Sequence, residues 1–185
     1  MIATSLQLLT PPQQSHTVNP RRHPPPDVID PDETTITSSG WAMATDGAYN
    51  PLVPQTMGLG VVFLYNGNMH TQLAINMTHA NASSLMAEFY AHLKGLQWIK
   101  DHNHILTTTT LSPIPCHTYA DCQAIHESTH GSWHCSDLNI LQIIQDIRDT
   151  EQALRPSVVL HRHWIPRAEN SLADHQAAIG LKKTN

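Results

Sequence analysis

The sequence predicts an α/β fold, in which one mixed five-stranded sheet is flanked by α-helices. Three apolar segments joined by short turns come first and predict antiparallel strands, and two further strands then alternate with amphipathic helices. The 185 residues suffice for one ordinary domain with an extension, but not for two full domains. We expect residues 1–38 to be a disordered proline-rich leader or linker, residues 39–181 to form the domain, and residues 182–185 to be a short tail.

The first three strands are indicated by apolar runs and turn residues. A strand that begins at Trp41 is expected to stop at an Asp46-Gly47 turn, and Gly58 to Tyr65 form the second strand. Asn66-Gly67-Asn68 is a typical hairpin turn and leads into the third strand, Met69 to Met77.

One long amphipathic helix and a short strand follow. Apolar residues recur at helical spacing between Ser83 and Asp101, with Ser83 or Ser84 available as the N-cap. A threonine-rich loop, Thr107 to Pro115, then precedes a strand at Cys116 to Ala120, and Gln123 to Thr129 suggest a short helix.

The last three elements complete the order βββαβααβα. A helix is expected from about Asp137 to Leu154, capped by Ser136 and stopped by Pro156. Its predicted apolar face consists of Leu138, Leu141, Ile144 and Ile147. Val158 to Ile165 form the fifth strand, and Ser171 to Leu181 form the final helix.

Composition excludes some classes of protein. No apolar run approaches the roughly 20 residues that cross a bilayer, and Met1 to Pro12 lack the basic start and cleavage site of a secretory signal. The three cysteines have no paired spacing, so we expect a reducing, intracellular compartment, cytoplasmic or nuclear. The net charge of −5 argues against tight autonomous binding of nucleic acid, because phosphate contacts come mainly from Lys and Arg.

Four acidic residues are expected near the ends of elements: Asp46, Glu88, Asp121 and Asp174. Phosphodiester hydrolysis with two divalent metals needs several carboxylates that converge. Mg²⁺ prefers such hard oxygen ligands over His and Cys. Taken singly, each of these acids is more typical of a turn or a solvated helix face.

Together, in this order, the segments around the four acids resemble type 1 ribonuclease H. Thr45-Asp46-Gly47-Ala48 is similar to the opening Thr-Asp-Gly-Ser of that family, and Met86 to Ala91 are similar to its Ala-Glu-x-x-Ala helix. Tyr119 to Gln123 resemble its Asp-Ser-Gln turn, and Trp164 to Asp174 resemble its closing Asn-x-x-Ala-Asp segment. The resemblance spans residues 41–181.

This resemblance implies an endonuclease that hydrolyses the RNA strand of RNA–DNA hybrids with two Mg²⁺ ions, or Mn²⁺, and leaves a 3′-hydroxyl and a 5′-phosphate. It also implies that Asp46 and Asp121 are the central metal ligands. Glu88 would hold the metal nearer the leaving group, and Asp174 the metal that activates water. The implied substrate-binding residues are Asn50, Ser84, Gln123, Arg167 and Asn170.

The chain departs from the family at three places. Ser84 and Leu85 stand where members often carry an Asn that touches the duplex. The loop before the last helix has no His but has Arg167, which is either a phosphate contact or a surface charge. The basic arm of bacterial members is reduced to residues 130–135, so substrate holding is expected to need a partner or a neighbouring domain, such as a reverse transcriptase in a retroelement polyprotein.

The sequence leaves three alternative interpretations open. The first is a weak or inactive ribonuclease H-like module that binds nucleic acid or has a structural role in a larger assembly. The second is a different nuclease of the same fold. The third is a structural zinc site formed by His126, His130, His134 and Cys135, which Gly131 disfavours; His161 and His163 are interpreted as structural.

Overall fold

The computed structural model describes residues 39–53, 55–106, 113–131 and 133–183. Its strands are β1 (Trp41–Tyr49), β2 (Thr56–Tyr65), β3 (Asn68–Thr78), β4 (Ile114–Ala120) and β5 (Val158–Trp164). Its α-helices are α1 (Ser84–Asp101), α2 (Asn103–Leu106), α3 (Gln123–His130), α4 (Leu138–Leu154) and α5 (Ser171–Lys182), and a 3₁₀ helix spans Arg167–Glu169. The predicted leader, residues 1–38, and most of the threonine-rich loop lie outside the described residues.

The five strands form one mixed sheet in the order β3-β2-β1-β4-β5. β1, β2 and β3 pair antiparallel, whereas β4 pairs parallel to both β1 and β5. The hairpin between β2 and β3 turns at Asn66 and Gly67, whose φ angles of 50° and 74° are those of a tight hairpin turn. The predicted fold class, a mixed five-stranded sheet flanked by helices, is confirmed.

Helices cover both faces of the sheet. α1 and α4 pack against each other on one face, over the larger apolar core, and α5 packs on β1, β2 and β3 on the other. Gly58 and Gly60 of β2 let α5 approach closely, because a Cβ atom at either position would lie 2.0–2.1 Å from a carbonyl oxygen of α5. None of the described helices is long and apolar enough to cross a membrane.

The predicted turn at Asp46-Gly47 is wrong. β1 continues to Tyr49, and Asp46 and Gly47 pair with Gly60 and Leu59 of β2. An Asp-Gly pair favours a turn only when the chain must reverse there, and here the long hydrogen-bonded ladder with β2 decides the conformation. Asp46 therefore lies within a strand instead of at its end.

The predicted cap and apolar face of α4 also need correction. The N-cap is Asp137, not Ser136, and its carboxylate accepts hydrogen bonds from the backbone N–H groups of Asn139 (2.8 Å) and Ile140 (3.5 Å). Leu138 and Leu141 are exposed. Ile144 and Ile147 are buried as predicted, and the other buried residues of this helix are Ile140, Ile143, Glu151 and Leu154.

A candidate metal-binding carboxylate site

Three of the four predicted carboxylates meet where α1 and the end of β4 lie beside β1. Asp46 comes from β1, Glu88 from the second turn of α1, and Asp121 directly follows β4. Each offers an oxygen that lies within 4.8 Å of the other two. The three side chains are buried or half-buried, so they meet in a partly dehydrated setting.

Gly47 brings β1 and α1 close enough for this meeting. A Cβ atom at this position would lie 2.2 Å from the backbone nitrogen of Glu88 and 2.3 Å from the carbonyl carbon of Ala87. The backbone N–H of Gly47 donates a 3.1 Å hydrogen bond to Oε2 of Glu88. Gly47 thus permits the close packing of α1 and also orients the carboxylate of Glu88.

Asp121 is held through both its side chain and its backbone. Nδ2 of Asn170 donates 2.9 Å hydrogen bonds to Oδ1 of Asp121 and to the carbonyl oxygen of Thr45. Nε1 of Trp164 donates a 3.0 Å hydrogen bond to the carbonyl oxygen of Asp121. These contacts tie Asn170 and the last residue of β5 to the end of β4.

Burial and neighbouring charges disfavour the ionisation of Asp46 and Glu88. Burial raises the pKa of Asp46 to about 7, and the charges of Asp121 and Asp174 add to the effect while Arg167 opposes it. Burial, followed by the charges of Asp46 and Asp121, raises the pKa of Glu88 to about 9. A divalent cation would relieve this repulsion, and the all-oxygen donor set fits a hard ion such as Mg²⁺.

Asp174 lies at the solvent side of the site. Its Oδ1 pairs with the guanidinium of Arg167 at 2.6 Å, and the side chains of Asp174 and Arg167 are 42% and 76% exposed. Asp174 is not part of the close three-carboxylate group, but its charge acts on Asp46. Exposed ion pairs of this kind hold weakly, so either partner is free to exchange this contact for another.

The residues predicted to bind substrate have different surroundings. Ser84 is exposed one helical turn before Glu88, and half-buried Gln123 begins α3, where its amide donates to Oε1 of Glu127 at 2.7 Å. The side chain of Asn50, which follows β1, accepts a hydrogen bond from the backbone of Leu52 at 2.9 Å. Asn170 is only 1% exposed, and its amide faces Asp121.

The contributions of Gly47 and Trp164 did not emerge from the sequence. The Asp46-Gly47 pair was interpreted as a turn, and nothing local indicated that a helix from another part of the chain would touch Gly47. The indole N–H of Trp164 binds a backbone carbonyl 43 residues earlier in the chain, and such a contact leaves no signal in local spacing.

The histidine and cysteine residues considered for zinc do not assemble within the described part of the chain. Among the described residues, the only group of three or more possible ligands whose ligand atoms all lie within 4.8 Å of one another is Asp46, Glu88 and Asp121. His126 lies on α3, whereas His134 and Cys135 lie in the segment before α4. The side chain of His130 is outside the described residues.

Comparison with known proteins supports the fold. No protein-family model and no curated protein matches this chain. Ribonuclease H1 from the halophilic archaeon Halobacterium salinarum matches with a TM-score of 0.64 and 18% identity, over 79% of this chain and 100% of that one. LC11 ribonuclease H1, solved with an RNA/DNA hybrid, matches with a TM-score of 0.63 and 18% identity, over 76% of this chain and 96% of that one.

A viral enzyme shares the same architecture. The foamy viral protease-reverse transcriptase, solved with an RNA/DNA hybrid, matches with a TM-score of 0.57 and 14% identity, over 94% of this chain and 22% of that one. Sequence identities this low support a shared fold only, so an activity has to be argued from the residues of the site. The chain therefore has the ribonuclease H fold.

Proposed function

We propose that this chain is a metal-dependent endoribonuclease that cuts the RNA strand of RNA–DNA hybrids. The observation that carries the proposal is the meeting of Asp46, Glu88 and Asp121 within 4.8 Å, on three separate elements of a ribonuclease H fold. Burial and neighbouring charges raise the pKa of Asp46 and of Glu88, and such acids are costly to maintain in a folded protein. Such a cost is typical of sites with a function.

Asp46, Glu88, Asp121 and Asp174 would hold two Mg²⁺ ions, and Mn²⁺ has the same preference for oxygen ligands. When bound, such ions stabilise charge on the phosphate and lower the pKa of a bound water. Two features of the site suit a divalent cation. All of its possible ligands are carboxylates, and the pKa values of Asp46 and Glu88 are raised.

The protein's own contribution is to hold the carboxylates in position. Gly47 orients Glu88 through its backbone N–H, and Asn170 orients Asp121 through its side-chain amide. Both donors belong to well-packed parts of the fold, so the acids are arranged before substrate arrives. We assign Asn170 a positioning role, because its amide is buried against Asp121 and does not face solvent.

Arg167 is the group best placed to contact the substrate backbone. Its guanidinium is highly exposed and pairs with Asp174 at the solvent side of the site. A phosphate oxygen could replace Asp174 as its partner, because a guanidinium recognises phosphate and carboxylate in the same geometry. This exchange would also release Asp174 toward the other carboxylates. Ser84, Gln123 and Asn50 are the polar side chains proposed to read the 2′-hydroxyl and the duplex.

Substrate holding is proposed to depend on a partner. The chain has 10 Lys and Arg against 15 Asp and Glu, which is a poor supply of cations for contact with phosphates. A basic nucleic-acid-binding domain, such as a reverse transcriptase, would provide the additional contacts with the phosphate backbone. An intracellular setting remains the prediction that goes with this function.

The test is cleavage of an RNA–DNA hybrid labelled on either strand, at low salt, with Mg²⁺ and then with Mn²⁺. Asp121→Asn keeps the size of the side chain but removes its charge. Asp101→Asn is the matched control, because Asp101 is an exposed acid at the far end of α1. We expect metal-dependent cutting of the RNA strand that is lost in Asp121→Asn and kept in Asp101→Asn.

Assays of other nucleic acids alongside the hybrid separate this proposal from the alternative functions. Equal cutting of duplex DNA or single-stranded RNA would identify a different nuclease of the same fold. Binding of the hybrid without cutting in either metal, by a sample shown to be folded, would identify an inactive binding module instead. Adding a basic reverse-transcriptase domain in trans tests whether weak cutting reflects weak substrate holding.

A further inference from the structure

Three histidines occupy one face of the parallel strands β4 and β5. His117 and His161 are direct partners in the sheet register, and His163 lies two residues further along β5 on the same side. Arg162, which lies between them, points to the opposite face, where its Nε donates to Oε1 of Glu151 on α4 at 3.1 Å. On the face that carries the histidines, the main helix packing is that of α5 on β1, β2 and β3, to one side of this pair of strands.

The three imidazole rings are already stacked together. The ring of His117 lies 5.0 Å from that of His161 and 5.1 Å from that of His163, with interplanar angles of 22° and 19°. Nδ1 of His117 and Nε2 of His163 are 2.9 Å apart, so one proton joins two ring nitrogens. Two nitrogens bound to one tetrahedral Zn²⁺ at about 2.0–2.1 Å would lie roughly 3.3 Å apart. The distance between Nδ1 of His117 and Nε2 of His163 is therefore close to the distance between two nitrogens that bind one Zn²⁺.

We propose that His117, His161 and His163 form a binding site for a borderline divalent transition metal, of which Zn²⁺ is the representative. His117 and His163 would supply the first two ligands, with the shared proton displaced. The exposed His161 would supply the third by rotating about its side-chain torsions. Water would complete a four-coordinate site.

The chemistry of this site differs from that of the carboxylates. Imidazole nitrogen suits Zn²⁺, Co²⁺, Ni²⁺ and Cu²⁺, whereas Mg²⁺ prefers oxygen. The two groups of ligands therefore select different ions, and Mg²⁺ in excess does not compete for the imidazoles. The proposal stands independently of the ribonuclease activity, because none of its residues belongs to the carboxylate group.

The position of the site gives a bound ion a structural consequence. An ion held by His117 and His163 would link β4 to β5 by ligand bonds in addition to the hydrogen bonds of the sheet. Asp121 follows the end of β4, and Trp164, the last residue of β5, binds its carbonyl oxygen. Metal binding should therefore stabilise the part of the fold that carries Asp121.

The experiment titrates the full chain with Co²⁺ in a large excess of Mg²⁺ and follows the visible d–d absorption. Displacement of Co²⁺ by Zn²⁺ measures the affinity for zinc. We expect one Co²⁺ per chain with the spectrum of nitrogen ligands. His117→Gln and His163→Gln should each weaken binding by at least the roughly tenfold that losing even an outer-shell partner costs. His134→Gln, which changes an exposed histidine elsewhere, should leave binding unchanged.

A second series separates the imidazoles from the carboxylates. Asp121→Asn should leave the Co²⁺ spectrum unchanged, and Zn²⁺ should raise the melting temperature of the parent chain but not that of His163→Gln. Circular dichroism establishes that each variant is folded. The proposal is overturned if Co²⁺ binding survives in the folded His117→Gln and His163→Gln variants, if it is lost in Asp121→Asn, or if the parent chain binds no Co²⁺.

Discussion

Glu88→Gln should stabilise the metal-free protein. Burial, with the charges of Asp46 and Asp121, raises the pKa of Glu88 from 4.5 to about 9. At pH 7 the side chain is ionised in the unfolded chain and protonated in the folded chain, so folding takes up a proton. The penalty grows as the pH rises from 4.5 toward 9 and is constant above that. Glutamine has no charge to lose, and its side-chain oxygen still accepts from Gly47.

The magnitude follows from proton linkage. The interval from pH 4.5 to pH 7, at roughly 1.4 kcal/mol per pH unit, corresponds to a penalty of about 3 kcal/mol that the variant avoids. For a domain of this size the variant should melt about 6–12 °C higher. Its activity should be lost, because it lacks one of the carboxylates that we propose to bind metal.

The assay is urea denaturation in EDTA at several pH values between 5 and 9, followed by circular dichroism. The difference in free energy of unfolding between variant and parent should widen as the pH rises. Repeating the measurement with Mg²⁺ in place of EDTA should narrow this difference, because the ion stabilises the parent more. Asp101→Asn is the control and should shift stability by less than about 1 kcal/mol. If Glu88→Gln is no more stable than the parent at pH 7, or if the difference does not depend on pH, the electrostatic account of the site is wrong.

Three further predictions concern the support of the site and the core. Gly47→Ala should destabilise the protein by about 3 kcal/mol or more and abolish hybrid cleavage, since the added Cβ meets the backbone of α1; unchanged melting would contradict the described packing. Asn170→Ala should cost about 1–3 kcal/mol and lower kcat more than it raises KM, because Asp121 and the carbonyl of Thr45 lose a buried donor; an effect on KM alone would favour substrate contact. Burial, reinforced by Arg162, lowers the pKa of His92 to about 3, so stability should fall as the pH drops from 6.5 toward 3. His92→Leu should remove about 2 kcal/mol of that loss at pH 5, which chemical denaturation at pH 5 and pH 7.5 measures; an equal loss in both proteins would exclude His92 as its source.

The sequence by itself determined the class of the fold and the order of its elements, apart from the short helix α2 and the 3₁₀ helix after β5, which it did not predict. Apolar runs, the Asn66-Gly67 turn and the helical spacing that begins at Ser83 are local signals, and each reflects interactions between residues near one another in the chain. The sequence also named Asp46, Glu88, Asp121 and Asp174 as a set, because their motifs appear in a recognisable order. Their common location could not follow from spacing alone.

Tertiary structure decided what depends on contacts between distant segments. Whether Asp46-Gly47 turns or continues as a strand depends on its ladder with β2, and the buried face of α4 depends on its packing against α1. The hydrogen bonds that hold Asp121 and the stacking of His117 with His161 and His163 join residues more than 40 positions apart. Burial of Asp46 and Glu88, and with it the raised pKa of each, arises only when the sheet and α1 close around them. Folding thus brings together groups whose interaction energies depend on distance and dielectric, and neither quantity is encoded in any local stretch of the chain.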